Sequence, residues 1–212
     1  LSSLRSGLNN SKLRANLFYM DYLTNGPEDG PLFIFAHGAG APMDTEFMTT
    51  IAQGLAELGA RVVRFEFPYM QERRASGKKR PPNTASVLES TWREVVDELS
   101  DDPSDVFIGG KSMGGRIASL IAEDLGVKGL VCLGYPFHPL GKPEKLRTAH
   151  LEPMRTPTLI VQGERDAMGN SEEVAGYPLS DAIEVVWLPD GDHSFKPRKR
   201  SGFTLDENLE AA

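Results

Sequence analysis

An α/β fold with a mainly parallel sheet is the architecture that this sequence predicts. Strand patterns and helix patterns alternate along the chain, which is typical of a parallel sheet flanked by helices. Continuous apolar runs such as Leu32–Ala36 are expected for strands covered on both faces. The chain has 212 residues, 40% of them hydrophobic, so we expect a single domain over residues 1–212.

The predicted elements follow in a regular order, with about seven strands and no segment long enough for a large lid. Strands are expected at Leu17–Leu23, Leu32–Ala36, Arg61–Phe67, Ser104–Gly109, Gly129–Leu133, Thr158–Gln162 and Ile183–Leu188. Helices are expected over 47–58, 84–99 and 117–125, with Asp44 and Asn83 as N-caps of the first two. We expect long loops at Pro68–Pro82 and Tyr135–Pro157, and no apolar helix after His193.

Composition narrows the class of protein. The net charge of −7 argues against a general nucleic-acid binder. No apolar run approaches the ~18 residues of a membrane span, and the first residues lack the apolar core of a secretory signal. The single cysteine, Cys132, suits a reducing compartment, so we expect a cytoplasmic protein without a membrane partner. Four histidines and one cysteine offer no metal-ligand spacing, and we expect no cofactor.

The most informative motif is Gly110-Lys111-Ser112-Met113-Gly114, between a predicted strand and a predicted helix. A serine on so tight a turn is forced outward, with its hydroxyl exposed above the edge of the sheet. A Cβ atom on either flanking glycine would clash with the neighbouring strand and helix. The motif therefore predicts a nucleophile elbow, although Ser112 could instead be only a structural turn residue.

A phosphate-binding loop is the competing interpretation, because its pattern G-x-x-x-x-G-K-S also ends in Gly-Lys-Ser. That pattern needs a glycine five positions before Gly110, and Asp105 stands there. The predicted strand also requires residues 105–109. The sequence therefore favours the nucleophile elbow.

A serine nucleophile needs a base, and the base needs a carboxylate that orients it. Asp166 and His193 each follow a predicted strand, as Ser112 does, so all three are expected at one edge of the sheet. We predict that Ser112 attacks a carbonyl, His193 transfers the proton and Asp166 fixes the histidine tautomer. Glu164 and Asp192 are the rival carboxylates.

Such a site also needs backbone donors for the negative charge that develops on the carbonyl oxygen. One donor is predicted to be the N–H of Met113, directly after the serine. The second is expected from the loop at 37–40, where small residues let the backbone approach the reacting carbonyl. We choose the Ala39 N–H, with Gly40 as the alternative, and expect His37 to brace the loop.

Four motifs carry a resemblance to the α/β-hydrolase superfamily over nearly the whole chain. They are His37-Gly38-Ala39-Gly40, Gly110–Gly114, Gly163–Asp166 and Asp192-His193-Ser194-Phe195. The chain most resembles small members near dienelactone hydrolase and the testis-expressed hydrolase-like proteins. The resemblance implies an α/β-hydrolase fold and hydrolysis of esters or related acyl bonds. The chain departs from the family pattern at Lys111, whose cation would lower the pKa of the serine or anchor to a nearby carboxylate.

We therefore expect a serine hydrolase that cleaves carboxylic esters or thioesters through an acyl-enzyme, with a small acyl compound as substrate. The same chemistry would serve peptide or amide bonds. The alternative is a catalytically inactive module of the same fold that serves as an interaction or scaffold subunit. The sequence leaves the oligomeric state open.

Two basic runs, within Arg73–Arg80 and Lys196–Arg200, lie in predicted loops. If they border the site, their field would favour an anionic substrate. They could equally be solvated loop segments, since charged loop runs usually are.

Overall fold

The computed structural model describes residues 20–212, which contain a seven-stranded sheet. The strands are β1 (Leu23–Asn25), β2 (Leu32–Ala36), β3 (Arg61–Phe65), β4 (Phe107–Lys111), β5 (Gly129–Leu133), β6 (Thr158–Gly163) and β7 (Ile183–Leu188). Their order in the sheet is β1-β3-β2-β4-β5-β6-β7, and every neighbouring pair is parallel except β1 and β3. The mainly parallel α/β fold and the number of strands are thus confirmed.

Helices cover both faces of this sheet. The described helices are α1 (Glu46–Glu57), α2 (Pro68–Ser76), α3 (Ala85–Leu99), α4 (Met113–Leu125), α5 (Ser171–Val174) and α6 (Leu205–Glu210). Because side chains alternate along a strand, Phe33 and Phe35 of β2 pack with Met48 of α1, whereas Ile34 packs with Trp92 of α3.

Helix α2 occupies much of the stretch that the sequence predicts as a loop, so that prediction is wrong for Pro68–Ser76. Pro68 stands in the first turn, where its missing N–H has no helical partner to lose. Only Tyr69 and Met70 are buried, and most of the other residues of the helix are polar or charged. An apolar stripe is therefore absent, which is why periodicity does not reveal the helix. The Tyr135–Pro157 connection contains only turns and irregular backbone.

Both predicted N-caps are displaced by one residue. Thr45, not Asp44, caps α1, and its hydroxyl accepts a hydrogen bond from the Met48 N–H at 3.4 Å. Thr84, not Asn83, is the N-cap of α3. The Asn83 side chain instead accepts from the Tyr69 N–H at 2.9 Å and so holds the start of α2.

Several predicted boundaries also move. The described first strand begins only at Leu23, and residues 17–19 of the predicted one lie outside the described residues. The strand predicted at Ser104–Gly109 begins at Phe107, because Pro103–Asp105 form a 3₁₀ turn. The chain after His193 does contain a short helix, α6, which carries a capping box between Thr204 and Glu207.

Candidate active site

Ser112 lies on the turn between β4 and α4, with its backbone at φ 52° and ψ −113°. It is one of three non-glycine residues with positive φ among residues 20–212. The motif glycines permit this turn: a Cβ atom on Gly110 or on Gly114 would lie 2.6 Å from the Ala36 carbonyl oxygen. On Gly110 it would also lie 2.7 Å from the Gly115 nitrogen. The predicted clash with the neighbouring strand and helix is confirmed.

The structure brings together the three residues that the sequence predicts as nucleophile, base and acid. The Nε2 atom of His193 lies 2.9 Å from the Ser112 hydroxyl oxygen. Its Nδ1 atom lies 2.7 Å from Oδ2 of Asp166. The three residues follow the carboxyl ends of β4, β7 and β6, where parallel strands place their ligand-binding loops.

Asp166 is fully buried and has further hydrogen bonds that fix its carboxylate. Oδ1 accepts from the Met168 N–H at 2.9 Å, and Oδ2 accepts from the Gln162 side-chain amide at 3.0 Å. Gln162, at the end of β6, is a supporting residue that the sequence interpretation missed. Its signal would have been a polar residue at the end of an apolar strand, four positions before the acid.

The rival carboxylates are engaged elsewhere. Glu164 accepts a hydrogen bond from the Asp190 N–H at 2.8 Å. Asp192 accepts from the backbone N–H groups of Ser194 and Lys196, at 2.8 and 3.1 Å. Asp192 therefore shapes the loop that carries the histidine, and Asp166 is the carboxylate that meets the imidazole.

The loop that carries His193 is held in a tight turn. Phe195 is buried with φ 69°, and its N–H donates to the Asp192 carbonyl at 2.8 Å. From α6, the side-chain amide of Asn208 donates to the carbonyls of Phe195 and Pro189, at 2.8 and 3.1 Å. Asn208 is a second supporting residue that the sequence interpretation missed.

His37 braces the loop after β2 from the inside. Its Nε2 atom accepts from the Phe67 N–H at 3.2 Å, so the ring proton is on Nδ1, which donates to the Gly38 carbonyl at 2.7 Å. Burial lowers the pKa of His37 and keeps the imidazole neutral. These contacts fit a bracing role.

Helix α2 binds the carbonyl oxygens of the same loop. The Tyr69 hydroxyl donates to the Ala39 carbonyl at 3.0 Å and lies 3.4 Å from the Gly38 carbonyl. Arg73 donates to the Gly40 carbonyl at 3.3 Å. In a trans peptide the carbonyl and the next N–H point in opposite directions, and the described residues contain no cis peptide. The N–H groups of Ala39 and Gly40 therefore point away from α2.

A cavity of about 370 Å³ lies beside Ser112 and His193. Neither basic run borders it, and Lys111 is the one Lys or Arg side chain in its lining. Its walls are mostly small or apolar. The lining residues are Gly38, Ala39, Gly40, Ala41, Pro42, Thr45, Phe47, Met48, Lys111, Ser112, His193 and Ser194.

Within residues 20–212, no three His, Cys, Asp or Glu side chains are grouped so that they could hold a metal ion. In the same residues, no helix combines the length and the apolar character needed to cross a bilayer.

Comparison with known proteins agrees with the α/β fold described above. Three solved structures each match 91% of this chain with a TM-score of 0.66. One is an α/β serine hydrolase homologue from Coxiella burnetii, with 25% identity over 89% of its own chain. The others are a lid-free α/β serine hydrolase from Xanthomonas campestris (20% identity, 85% covered) and the dienelactone hydrolase of Anabaena variabilis ATCC 29413 (22% identity, 88% covered).

A family model decides the assignment. The model of the alpha/beta hydrolase domain matches residues 29–212, which is most of the chain. The resemblance noted from the four motifs is thereby confirmed, and the chain belongs to the α/β hydrolase family.

Proposed function

We propose that this hydrolase cleaves carboxylic esters or thioesters through an acyl-enzyme on Ser112. The observation that carries the proposal is the continuous hydrogen-bonded series from Ser112 through His193 to Asp166, at 2.9 and 2.7 Å. A carboxylate can only accept, so the ring proton is on Nδ1 and the lone pair of Nε2 faces the serine hydroxyl. This is the arrangement that a serine nucleophile requires.

The reaction then proceeds in two halves. The Ser112 oxygen attacks the acyl carbon while His193 takes the hydroxyl proton, and a tetrahedral oxyanion forms. When the bond to the leaving group breaks, the imidazolium protonates the departing alcohol or thiol. Water next attacks the acyl-enzyme, His193 takes its proton, and collapse releases the carboxylic acid and returns the proton to Ser112. Asp166 stabilises the imidazolium throughout.

The N–H groups of Met113 and Ala39 are our proposed donors to the oxyanion, with Gly40 as the alternative to Ala39. Met113 begins α4, so its N–H is one of the helix's unsatisfied donors. The carbonyls of the 38–40 loop are bound to α2 and His37, which turns the opposite N–H groups away from that helix. A Cβ atom on Gly38 would lie 3.6 Å from the Ser112 Cβ, so this backbone runs beside the nucleophile.

The cavity lining favours a small, uncharged acyl group. Phe47, Met48 and Pro42 offer apolar contacts, and the glycines and alanines leave room for a carbonyl to approach. Preference for an anionic substrate stays a prediction. Because the basic runs do not border the cavity, they would have to attract such a substrate through their electrostatic field at longer range. A peptide or amide substrate would require the same chemistry with a poorer leaving group.

Fluorophosphonate labelling and hydrolysis of short p-nitrophenyl esters test the proposal. We expect Ser112→Ala to abolish labelling and to lower kcat by about 10⁴-fold or more. Ser90→Ala, which removes an exposed hydroxyl on α3, is the matched control and should retain both activities. A panel of esters, thioesters and peptides then identifies the bond.

The competing function is that of an inactive scaffold. The labelling and hydrolysis assays described above distinguish it from the hydrolase. The scaffold would be favoured by a His193 that cannot reach Ser112, but the two side chains are 2.9 Å apart. Wild-type protein that neither takes up the probe nor hydrolyses any member of the panel would reject the hydrolase proposal in favour of the scaffold.

A further inference from the structure

Lys111 connects the nucleophile strand to the histidine loop. It is the last residue of β4 and directly precedes Ser112. Its ammonium group donates a hydrogen bond to the main-chain carbonyl of His193, 82 residues away in the sequence. The direct partner is thus a main-chain carbonyl, whereas the sequence analysis offered a nearby carboxylate as one of two alternatives for this cation. Lys111, next to the proposed nucleophile, therefore binds the main chain of His193, the proposed base.

The surroundings of this ammonium are shaped to receive a cation. Its nitrogen lies 5.4 Å from the ring centres of both Phe47 and Phe195. Aromatic faces attract cations most strongly where water is excluded. These two rings come from α1 and from the histidine loop, so Lys111 also connects those two segments.

Gly134, just after β5, leaves the space that the ammonium occupies. A Cβ atom on Gly134 would lie 2.4 Å from the Lys111 nitrogen and 3.0 Å from the His193 carbonyl oxygen. Its φ of 64° is also one that L side chains rarely adopt. The absence of a side chain here lets Lys111 reach His193.

Burial of Lys111 lowers its pKa to about 8, and the nearby charges of Asp166 and Asp192 oppose the shift. His193, whose main chain it binds, is a further titratable residue beside it, and the rings of Phe47 and Phe195 carry no charge. Lys111 is therefore charged at neutral pH and loses its charge as the pH rises through 8.

We propose that Lys111 is a positioning residue, whose ammonium clamps the His193 main chain so that the imidazole stays within reach of Ser112. The proposal rests on the proposed function of Ser112 and His193. A hydrogen bond from a charged donor is about twice as strong as a neutral one. Lys111 ends β4 and Ser112 follows it directly. The end of this strand therefore fixes the position of the nucleophile and, through Lys111, that of its base.

The test replaces Lys111 with methionine, which keeps an unbranched chain one atom shorter and removes the charge and the hydrogen-bond donor. We expect kcat to fall by about 10- to 100-fold, since a displacement of 1 Å can cost that much, while KM changes by about twofold at most. In wild type, kcat should decline as the pH rises above 8, and Lys111→Met should lack this decline. The matched control is Lys128→Met, which removes an exposed lysine that lies 5.7 Å from the Phe107 ring.

The proposal is overturned if Lys111→Met keeps the kcat and the alkaline decline of wild type, even if its melting temperature drops. If the variant does not fold, the NMR signal of the His193 Nδ1–H in wild type decides. That signal should shift or broaden as the pH rises through 8, and an unchanged signal overturns the proposal. Failure of the proposed function is distinguishable, because wild type would then not label, whereas this NMR signal would still report the clamp.

Discussion

Ser112, the proposed nucleophile, has a strained backbone conformation. A non-glycine residue in its conformation costs about 1–3 kcal/mol, so the surrounding structure must hold it there. Its N–H donates to the Leu133 carbonyl at 2.9 Å, and its carbonyl accepts from the Arg116 N–H at 3.0 Å. These bonds to β5 and α4 maintain the turn. The strain is thus located at the residue that we propose as the nucleophile.

Replacing Ser112 by glycine should therefore stabilise the protein while abolishing hydrolysis. Glycine adopts positive φ without a Cβ clash, so the free energy of unfolding should rise by about 1 kcal/mol relative to Ser112→Ala. For a chain of this size the melting temperature should be about 2–4 °C higher than that of Ser112→Ala. Both variants lose the hydroxyl, so their comparison isolates the backbone effect. Equal melting temperatures would show that the turn is unstrained.

Helix α2 acts as a support for the loop that we propose as half of the oxyanion hole. Tyr69 and Arg73 of this helix contact the carbonyl oxygens of three successive loop residues, at positions 38, 39 and 40. Burial raises the pKa of Tyr69, so its hydroxyl stays protonated and able to donate. We therefore expect the helix to affect the proposed catalysis, although none of its residues lines the cavity.

Tyr69→Phe should lower kcat with little change in KM. The substitution removes the hydrogen bond to the Ala39 carbonyl and loosens the neighbouring N–H groups, so we expect a loss of about 10-fold, less than the 10²–10³-fold cost of removing a donor itself. Steady-state kinetics on a p-nitrophenyl ester measure it. Tyr22→Phe is the matched control, because its hydroxyl binds Glu98 of α3 at 2.7 Å. Equal kcat values in the two variants would contradict the supporting role of α2.

Sequence patterns predict well the strands of the sheet and the helices that pack on it with an apolar face. Apolar strands and striped helices such as α3 follow from periodicity, and Ser112, Asp166 and His193 follow from motifs at strand ends. Helix α2 and Asn208 could not be predicted in this way. Neither forms part of an apolar stripe that periodicity could reveal. The role of each depends on contacts with segments at least 13 residues away in the sequence.

At the scale of the whole molecule, burial in the fold keeps His37 and His150 neutral. Burial lowers the pKa of His150 to about 4, and the nearby Arg116 adds to the shift. Its Nε2 atom lies 2.9 Å from the Ser119 hydroxyl and 3.3 Å from the Tyr135 hydroxyl. His37 is also kept neutral by burial. In the unfolded chain both would titrate near 6.5.

Stability should therefore fall as the solution is acidified from pH 7 to pH 5. The unfolded state binds a proton below about 6.5, whereas folded His150 does so only near 4, so the stabilisation is complete above 6.5 and declines below it. Allowing for its partial exposure, His150 should contribute about 1 kcal/mol of this decline, or about 2–4 °C in melting temperature. Melting curves of wild type and His150→Gln at pH 7, 6 and 5 measure it. An identical decline in the variant would rule out His150 as a source.

The contact between Asn208 and the Phe195 carbonyl links helix α6 to the loop that carries the His193 imidazole. A protease cut between residues 197 and 204 would release α6 without touching the sheet. The enzyme would then lose turnover before it lost its shape, so an activity assay would detect such damage earlier than a spectroscopic one.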